Sequence, residues 1–345
     1  MEASNEYFKD RDYSDYANYT YDNTPVDGVR EYTVYQIISL LVFFVVFLLG
    51  VPGNALVIWV TKLESHKMVN AVWFLNLATA DLFCCLVLPL LAVPIIRHGE
   101  WPLGEVSCRL LSSVILLNLY TSVLLLTLIS LDRCLLVVKP IWCQNHRSVT
   151  MAKVACGVTW ALALVLTIPS MVYRRLKEDL PGFWECGVDY RGNREAEVGI
   201  AVTRFLFSFV GPLLIISLCY FLLLNRLWRR QATRSRKTIK VVVTVVVGFF
   251  LCWTPYQIVG LLIAVYSPNS SVFEWMQLFD SLTIALAYVN SCINPVIYVV
   301  AAHGIKDRMA RHSICTMIQK VLTEDSVGRE SKSFTRSTGA SEENL

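Results

Sequence analysis

The sequence predicts an all-α membrane protein: a seven-transmembrane helix bundle with a short amphipathic eighth helix on the cytoplasmic face. Three observations lead there. Of 345 residues, 55% are hydrophobic and only 17% charged, with a mean hydropathy of +0.50. Seven apolar runs, at 35–61, 69–95, 105–138, 150–173, 197–227, 237–266 and 274–301, each reach the roughly 20 residues that cross a hydrocarbon core. The charges gather between those runs, which a large soluble helical protein would not arrange.

The chain accordingly divides into an acidic extracellular leader at 1–34, a receptor-like bundle at 35–301, a surface helix at 302–318 and a polar cytoplasmic tail at 319–345. The leader holds three Lys/Arg and eight Asp/Glu. It has too little apolar surface to fold alone. No basic-then-apolar run opens it, so no cleavable signal peptide is expected. Asn18 heads a glycosylation sequon, and Tyr13, Tyr16 and Tyr21 each stand beside an aspartate, as tyrosine sulfation favours.

Orientation follows from the joins. Residues 225–240 carry seven Lys/Arg and no acid. Between two apolar spans such a run is a cytoplasmic loop under the positive-inside rule, not a nucleic-acid patch. That places the leader, Cys108, Cys186 and the second sequon at Asn269 outside. Of the eleven cysteines, these two stand in polar flanks, and no CxxC pair or His cluster has metal spacing. Past the seventh span, Ile305, Met309, Ile314 and Ile318 recur at helical spacing, with Cys315 a palmitoylation candidate. The tail sets Thr323, Ser326, Ser331, Ser333, Thr335, Ser337 and Thr338 among acids, a phosphorylatable pattern.

Polar groups inside apolar spans are costly and point to function. Asp81 lies midway along the second span. Asn118 and Ser122 are four apart on one face of the third, and Asn290, Ser291 and Asn294 lie on the seventh. One carboxylate with several amide and hydroxyl oxygens can hold sodium, or can simply tie helices together through a wet network. Arg174, Arg175, Glu197, Arg204 and Asp280 fall near the outer face. They read either as a pocket of both signs for a charged peptide end or as residues snorkelling to headgroups. Pro89, Pro169, Pro212, Pro255 and Pro295 interrupt spans and bend them. Phe249 and Trp253 stand just before Pro255, where packing at the bend can sense what fills the cavity.

These residues together resemble the rhodopsin class of G protein-coupled receptors, across 35–318. The set is Gly53-Asn54, Asp81, Cys108, Asp132-Arg133-Cys134, Trp160, Pro212 with Tyr220, Cys252-Trp253-Thr254-Pro255 and Asn294-Pro295-Val296-Ile297-Tyr298. Within the class, the stretches NAVWFLNLATADL, KPIWCQN, LTIPS, RSRKTIKVVV, INPVIYVVA and SVGRESKSFTRST are similar to a chemotactic peptide receptor of complement. The resemblance implies a Cys108–Cys186 disulfide and a strongly basic complement fragment as agonist. The sulfated leader would steer the fragment's body. Its terminal carboxylate would lie near Arg204 and a terminal arginine near Asp280, with Tyr256 and Ile284 lining the pocket. It implies exchange on an inhibitory-class G protein, with Arg133 released from Asp132, and Tyr220 and Tyr298 moving inward. It further implies tail phosphorylation by a receptor kinase and arrestin recruitment, a plasma-membrane location with lipid as solvent, no catalysis by this chain and no organic cofactor. Cys134 stands where the class usually has tyrosine, and Ile305 where it commonly has phenylalanine. Three other readings are a formyl-peptide-type receptor, a non-signalling scavenger of the same ligand, and a transporter or channel. The last needs paired broken helices or a repeat, and none is visible.

Overall fold

The computed structural model describes residues 32–230, 236–266 and 270–306, and the helical unit begins at Thr33. Its elements are α1 (Val34–Glu64), α2 (Val69–Leu86), α3 (Leu88–Ile96), α4 (Gly104–Val138), α5 (Pro140–His146) and α6 (Val149–Tyr173). A hairpin of β1 (Arg174–Leu180) and β2 (Phe183–Val188) follows, then α7 (Arg194–Phe205), α8 (Gly211–Arg230), α9 (Arg236–Val265) and α10 (Ser271–Lys306). Among the described residues, six stretches are long and apolar enough to cross a membrane: Val34–Lys62, Val69–Ile96, Gly104–Val138, Val149–Tyr173, Arg194–Arg226 and Val242–Val265. The seventh crossing, α10, carries Asp280, Asn290, Ser291 and Asn294.

Local chemistry sets several boundaries. Thr33 and Gln36 form a reciprocal capping box at the start of α1, with Thr33 N donating to Gln36 Oε1 at 2.9 Å. Ser148 caps α6 through Met151 N at 3.2 Å, and Asn193 caps α7 through Ala196 N at 3.0 Å. The second predicted span is two helices, because Pro89 falls in the first turn of α3 and the chain turns at Val87. The fifth is also interrupted. A π turn over Leu206–Val210 joins α7 to α8, directly before Pro212, whose missing N–H cannot serve the regular ladder. Pro295 lies inside α10 against α1. A Cβ on Gly53 would come within 2.8 Å of the Pro295 ring, so glycine there permits the close approach.

The join at 174–196, expected only as a loop, contains the antiparallel hairpin. Its strands RRLKEDL and FWECGV lack clean apolar alternation, so pairing was not legible. Three contacts hold it. Pro181-Gly182 makes the turn, with Gly182 at φ +81°. Trp101 N donates to Trp184 O at 2.7 Å. Cys186, opposite Leu176 in the register, is bonded to Cys108 of α4, with Cα atoms 5.6 Å apart. At the inner side, α10 runs without a break through 302–306. The rest of the expected surface helix, the tail sites Thr323 to Thr338, and the leader with Tyr13, Tyr16, Asn18 and Tyr21 lie outside the described residues, as does Asn269.

Candidate functional site: an outer cavity, a buried polar core and an inner charge cluster

Beneath the hairpin lies a cavity of about 260 Å³. Its lining includes Arg174, Tyr256, Ser281, Ile284, Tyr288 and Ser112. Arg174, first residue of β1, sits among Tyr256, Tyr190, Tyr288 and Asp280, and burial pulls its guanidinium below the usual arginine range. Arg204 of α7 reaches across to α9. Its Nη1 donates to the Tyr256 hydroxyl at 3.4 Å, and its Cζ lies 5.2 Å from the Tyr256 ring centre, a cation–π distance. The guanidinium lies over Gly260, where an added Cβ would collide with Nη2. Asp280 is within electrostatic reach of both arginines, yet among the described residues no ion pair joins it to either. Glu197 accepts from Arg194 Nη1 at 2.9 Å and lies within electrostatic reach of Tyr190, and Arg194 Nη2 donates to the carbonyls of Val265 and Tyr266, so that Arg194 ties α7 to the end of α9.

An aromatic column descends from this cavity. Tyr256 meets Trp253 edge-on at 5.8 Å between ring centres, and Trp253 meets Phe249 at 6.0 Å. Trp253 and Phe249 are both buried. A cation over Tyr256 is thus joined by ring contacts to the bend at Pro255.

Of the polar groups noted on the second, third and seventh spans, all but Asn290 join one hydrogen-bonded group. Asn294 Nδ2 donates to Asp81 Oδ2 at 2.8 Å. Asn118, with its amide oriented to satisfy both ends, donates to Asp81 Oδ1 at 3.3 Å and accepts from Ser291 Oγ at 3.1 Å. Ser122 lies 3.3 Å from Asn118. Asn54 Nδ2 bridges Gly50 O and Ser291 O at 2.9 and 2.8 Å. Asn290 is buried too, but no hydrogen bond joins it to this group.

At the inner end the pair that the motif implied is present as a long ion pair, and a second arginine stands closer. Asp132 and Arg133 of α4 are separated by 3.9 Å between Oδ2 and Nη2. The near partner of Asp132 is Arg147, whose Nε and Nη2 donate to its two oxygens at 2.7 and 3.1 Å. Arg147 Nη2 also donates to Asn70 Oδ1 at 2.8 Å, the same oxygen that receives Arg133. Tyr220 of α8 lies near Ser130 and Arg133, and Cys134 lies against Cys219. Tyr298 is in α10, with its side chain outside the described residues. Arg147, Asn70 and Gly260 escaped the sequence reading. A lone arginine after a short helix, an asparagine in a first turn and a mid-helix glycine carry no local pattern that predicts a partner.

A sequence model described as 7 transmembrane receptor (rhodopsin family) matches residues 53–298. Among curated proteins, the chain is similar to "C5a anaphylatoxin chemotactic receptor 1" of Gorilla gorilla gorilla. The two are 52% identical over 318 residues, covering 92% of this chain and 91% of that protein. The rabbit protein of the same name, from Oryctolagus cuniculus, is 53% identical over 333 residues, 94% and 95% of the two chains. The Homo sapiens protein is 51% identical over 318 residues, 92% and 91%.

Proposed function

The chain belongs to the rhodopsin family of seven-transmembrane receptors, and from that premise we propose that it is the receptor for the complement fragment C5a and drives nucleotide exchange on an inhibitory-class G protein. It is a multi-pass signalling receptor of the plasma membrane with its N-terminus outside, and not an enzyme. The observation that carries the proposal is the outer cavity. Arg174 and Tyr256 line it, Arg204 lies on the Tyr256 ring, and Asp280 is within electrostatic reach of both arginines without an ion pair to either, so a peptide end bearing both signs would find complements there. The ligand's carboxylate meets Arg204 and its terminal arginine meets Asp280. The acidic leader, with sulfate on Tyr13, Tyr16 and Tyr21, attracts the basic body of the ligand.

Agonist in the cavity presses on Tyr256, and the column through Trp253 to Phe249 passes the change to the bend at Pro255. A ligand that binds the bent-out state of α9 better shifts the population toward it. Arg133 then meets the G protein, with Tyr220 and Tyr298 in support. Chemotaxis and inflammatory signalling follow, and receptor-kinase phosphorylation of the tail recruits arrestin. Asp81, Asn118, Ser122 and Ser291 fit a sodium ion, because one carboxylate with hydroxyl and amide oxygens is the donor set a small hard cation takes. The deciding experiment is nucleotide exchange on purified G protein with C5a, comparing the intact chain with Arg133→Ala. C5a-driven exchange that Arg133→Ala abolishes is expected. A chain that neither binds C5a nor responds to it ends the reading.

A further inference from the structure

The inner cluster contains two guanidinium groups and one carboxylate, all shielded from water. Relative side-chain exposures are 4% for Arg133, 9% for Asp132 and 14% for Arg147. Charges so buried are weakly screened, so which arginine holds the carboxylate matters. The geometry is unequal. Arg147 takes both carboxylate oxygens in the fork arrangement that planar guanidinium favours. Arg133 stands at 3.9 Å, beyond hydrogen-bonding distance of the same carboxylate. Both arginines donate to Asn70 Oδ1.

Arg147 is held in place from both sides. Its own N–H closes the last turn of α5 on Cys143 O at 3.0 Å, and the next residue, Ser148, caps α6. Cys143 is buried, and Trp142 stacks on His146 with ring centres 5.0 Å apart. The α5 segment therefore delivers a preset guanidinium to Asp132 with little freedom left to lose.

We propose that Arg147 is a positioning residue that keeps Arg133 releasable: by occupying both oxygens of Asp132, it prevents that carboxylate from clamping Arg133 and so sets how readily the receptor promotes exchange. The proposal rests on the G protein reading of the inner end. Without Arg147, Arg133, one residue away, is the cation that can move onto the Asp132 carboxylate. The clamp tightens and the active state becomes harder to reach. A purely structural tie between α5 and α4 gives a different signature, since it loses stability without regard to the charge on Asp132.

The test is nucleotide exchange on purified G protein, without agonist and with C5a, for the intact chain, Arg147→Ala, Arg147→Lys, Asp132→Asn and the Arg147→Ala/Asp132→Asn pair. Arg147→Ala is expected to lower exchange about fivefold, the size of a coupling between contacting charged residues. Arg147→Lys, which can take one oxygen at a time, is expected to fall between it and the intact chain. In the Asp132→Asn background the alanine change should have no effect, because no charged carboxylate is left to clamp Arg133. A rise in exchange with Arg147→Ala, no change at all, or an equal fall in the Asp132→Asn background overturns the proposal. Should Arg147→Ala not fold, the lysine variant carries the test: its deficit must vanish with Asp132→Asn, and persistence overturns the inference. If the intact chain gives no exchange with C5a, the functional reading fails with it. A working intact chain with an unaltered Arg147→Ala sinks this inference alone.

Discussion

The two ends of the bundle hold the same inventory, two arginines and one aspartate, and use it in opposite ways. At the outer end Arg174 lines a cavity, and Asp280 is within electrostatic reach of Arg174 and Arg204, with no ion pair to either among the described residues. Arg204 rests on a tyrosine ring instead. At the inner end Asp132, Arg133 and Arg147 are packed together and tied to Asn70. The difference is one of spacing: on the proposed reading, charges held apart near a cavity can receive a ligand, whereas charges packed together tie elements to one another.

The contrast is tested most severely by deleting each carboxylate. Asp132→Ala should cost about 3 kcal/mol of folded stability, because it strands buried guanidinium groups. Asp280→Ala should cost less than about 1 kcal/mol, since no formed pair is broken. Thermal unfolding in detergent reads both, and equal losses would mean that the outer charges are already paired. Next in size, Arg204→Ala should leave stability nearly unchanged but weaken agonist binding about thirtyfold. An agonist with an amidated C-terminus should lose far less, and equal losses for both ligands would detach Arg204 from the carboxylate. Asp280→Arg should then impair agonists ending in arginine about tenfold more than those lacking it. Competition binding with the two ligand series decides, and a uniform loss removes Asp280 from the pocket. The smallest effect belongs to Gly260→Ala. The added methyl displaces the Arg204 guanidinium from its place over α9, and a severalfold fall in agonist affinity, about 1 kcal/mol, is expected. An unchanged affinity would show that Arg204 binds agonist from another position.

Much of this architecture was written locally and could be read locally. Apolar run length marks the spans because the bilayer imposes that length on any helix crossing it. Asp81, Asn118, Ser122, Ser291 and Asn294 converge as expected, since a polar group in such a span has few choices but to face another. What remained hidden depends on distant partners. Asp132 followed by Arg133 reads as a pair, and the two lie 3.9 Å apart, but adjacent helical residues point apart, and the closer partner of Asp132 stands fourteen residues beyond Arg133. Glu197 matches the charge pattern of a pocket, and its contact with Arg194 within the same helix carries no separate signal in that pattern. The hairpin was illegible because a disulfide and a backbone contact, rather than alternating side chains, hold it in place.

The π turn over Leu206–Val210 has a consequence for phase. Arg204 and Tyr220 are sixteen residues apart in sequence, which on an unbroken α-helix at about 100° per residue places them about 160° apart, nearly on opposite sides. A single wide turn absorbs one residue without rotation and brings that angle down to about 60°. One extra residue therefore works as an angular gear. It lets the side chain on the Tyr256 ring and the side chain beside Arg133 look toward the same interior, so that a rotation of the helix about its own axis moves both hands of the clock together.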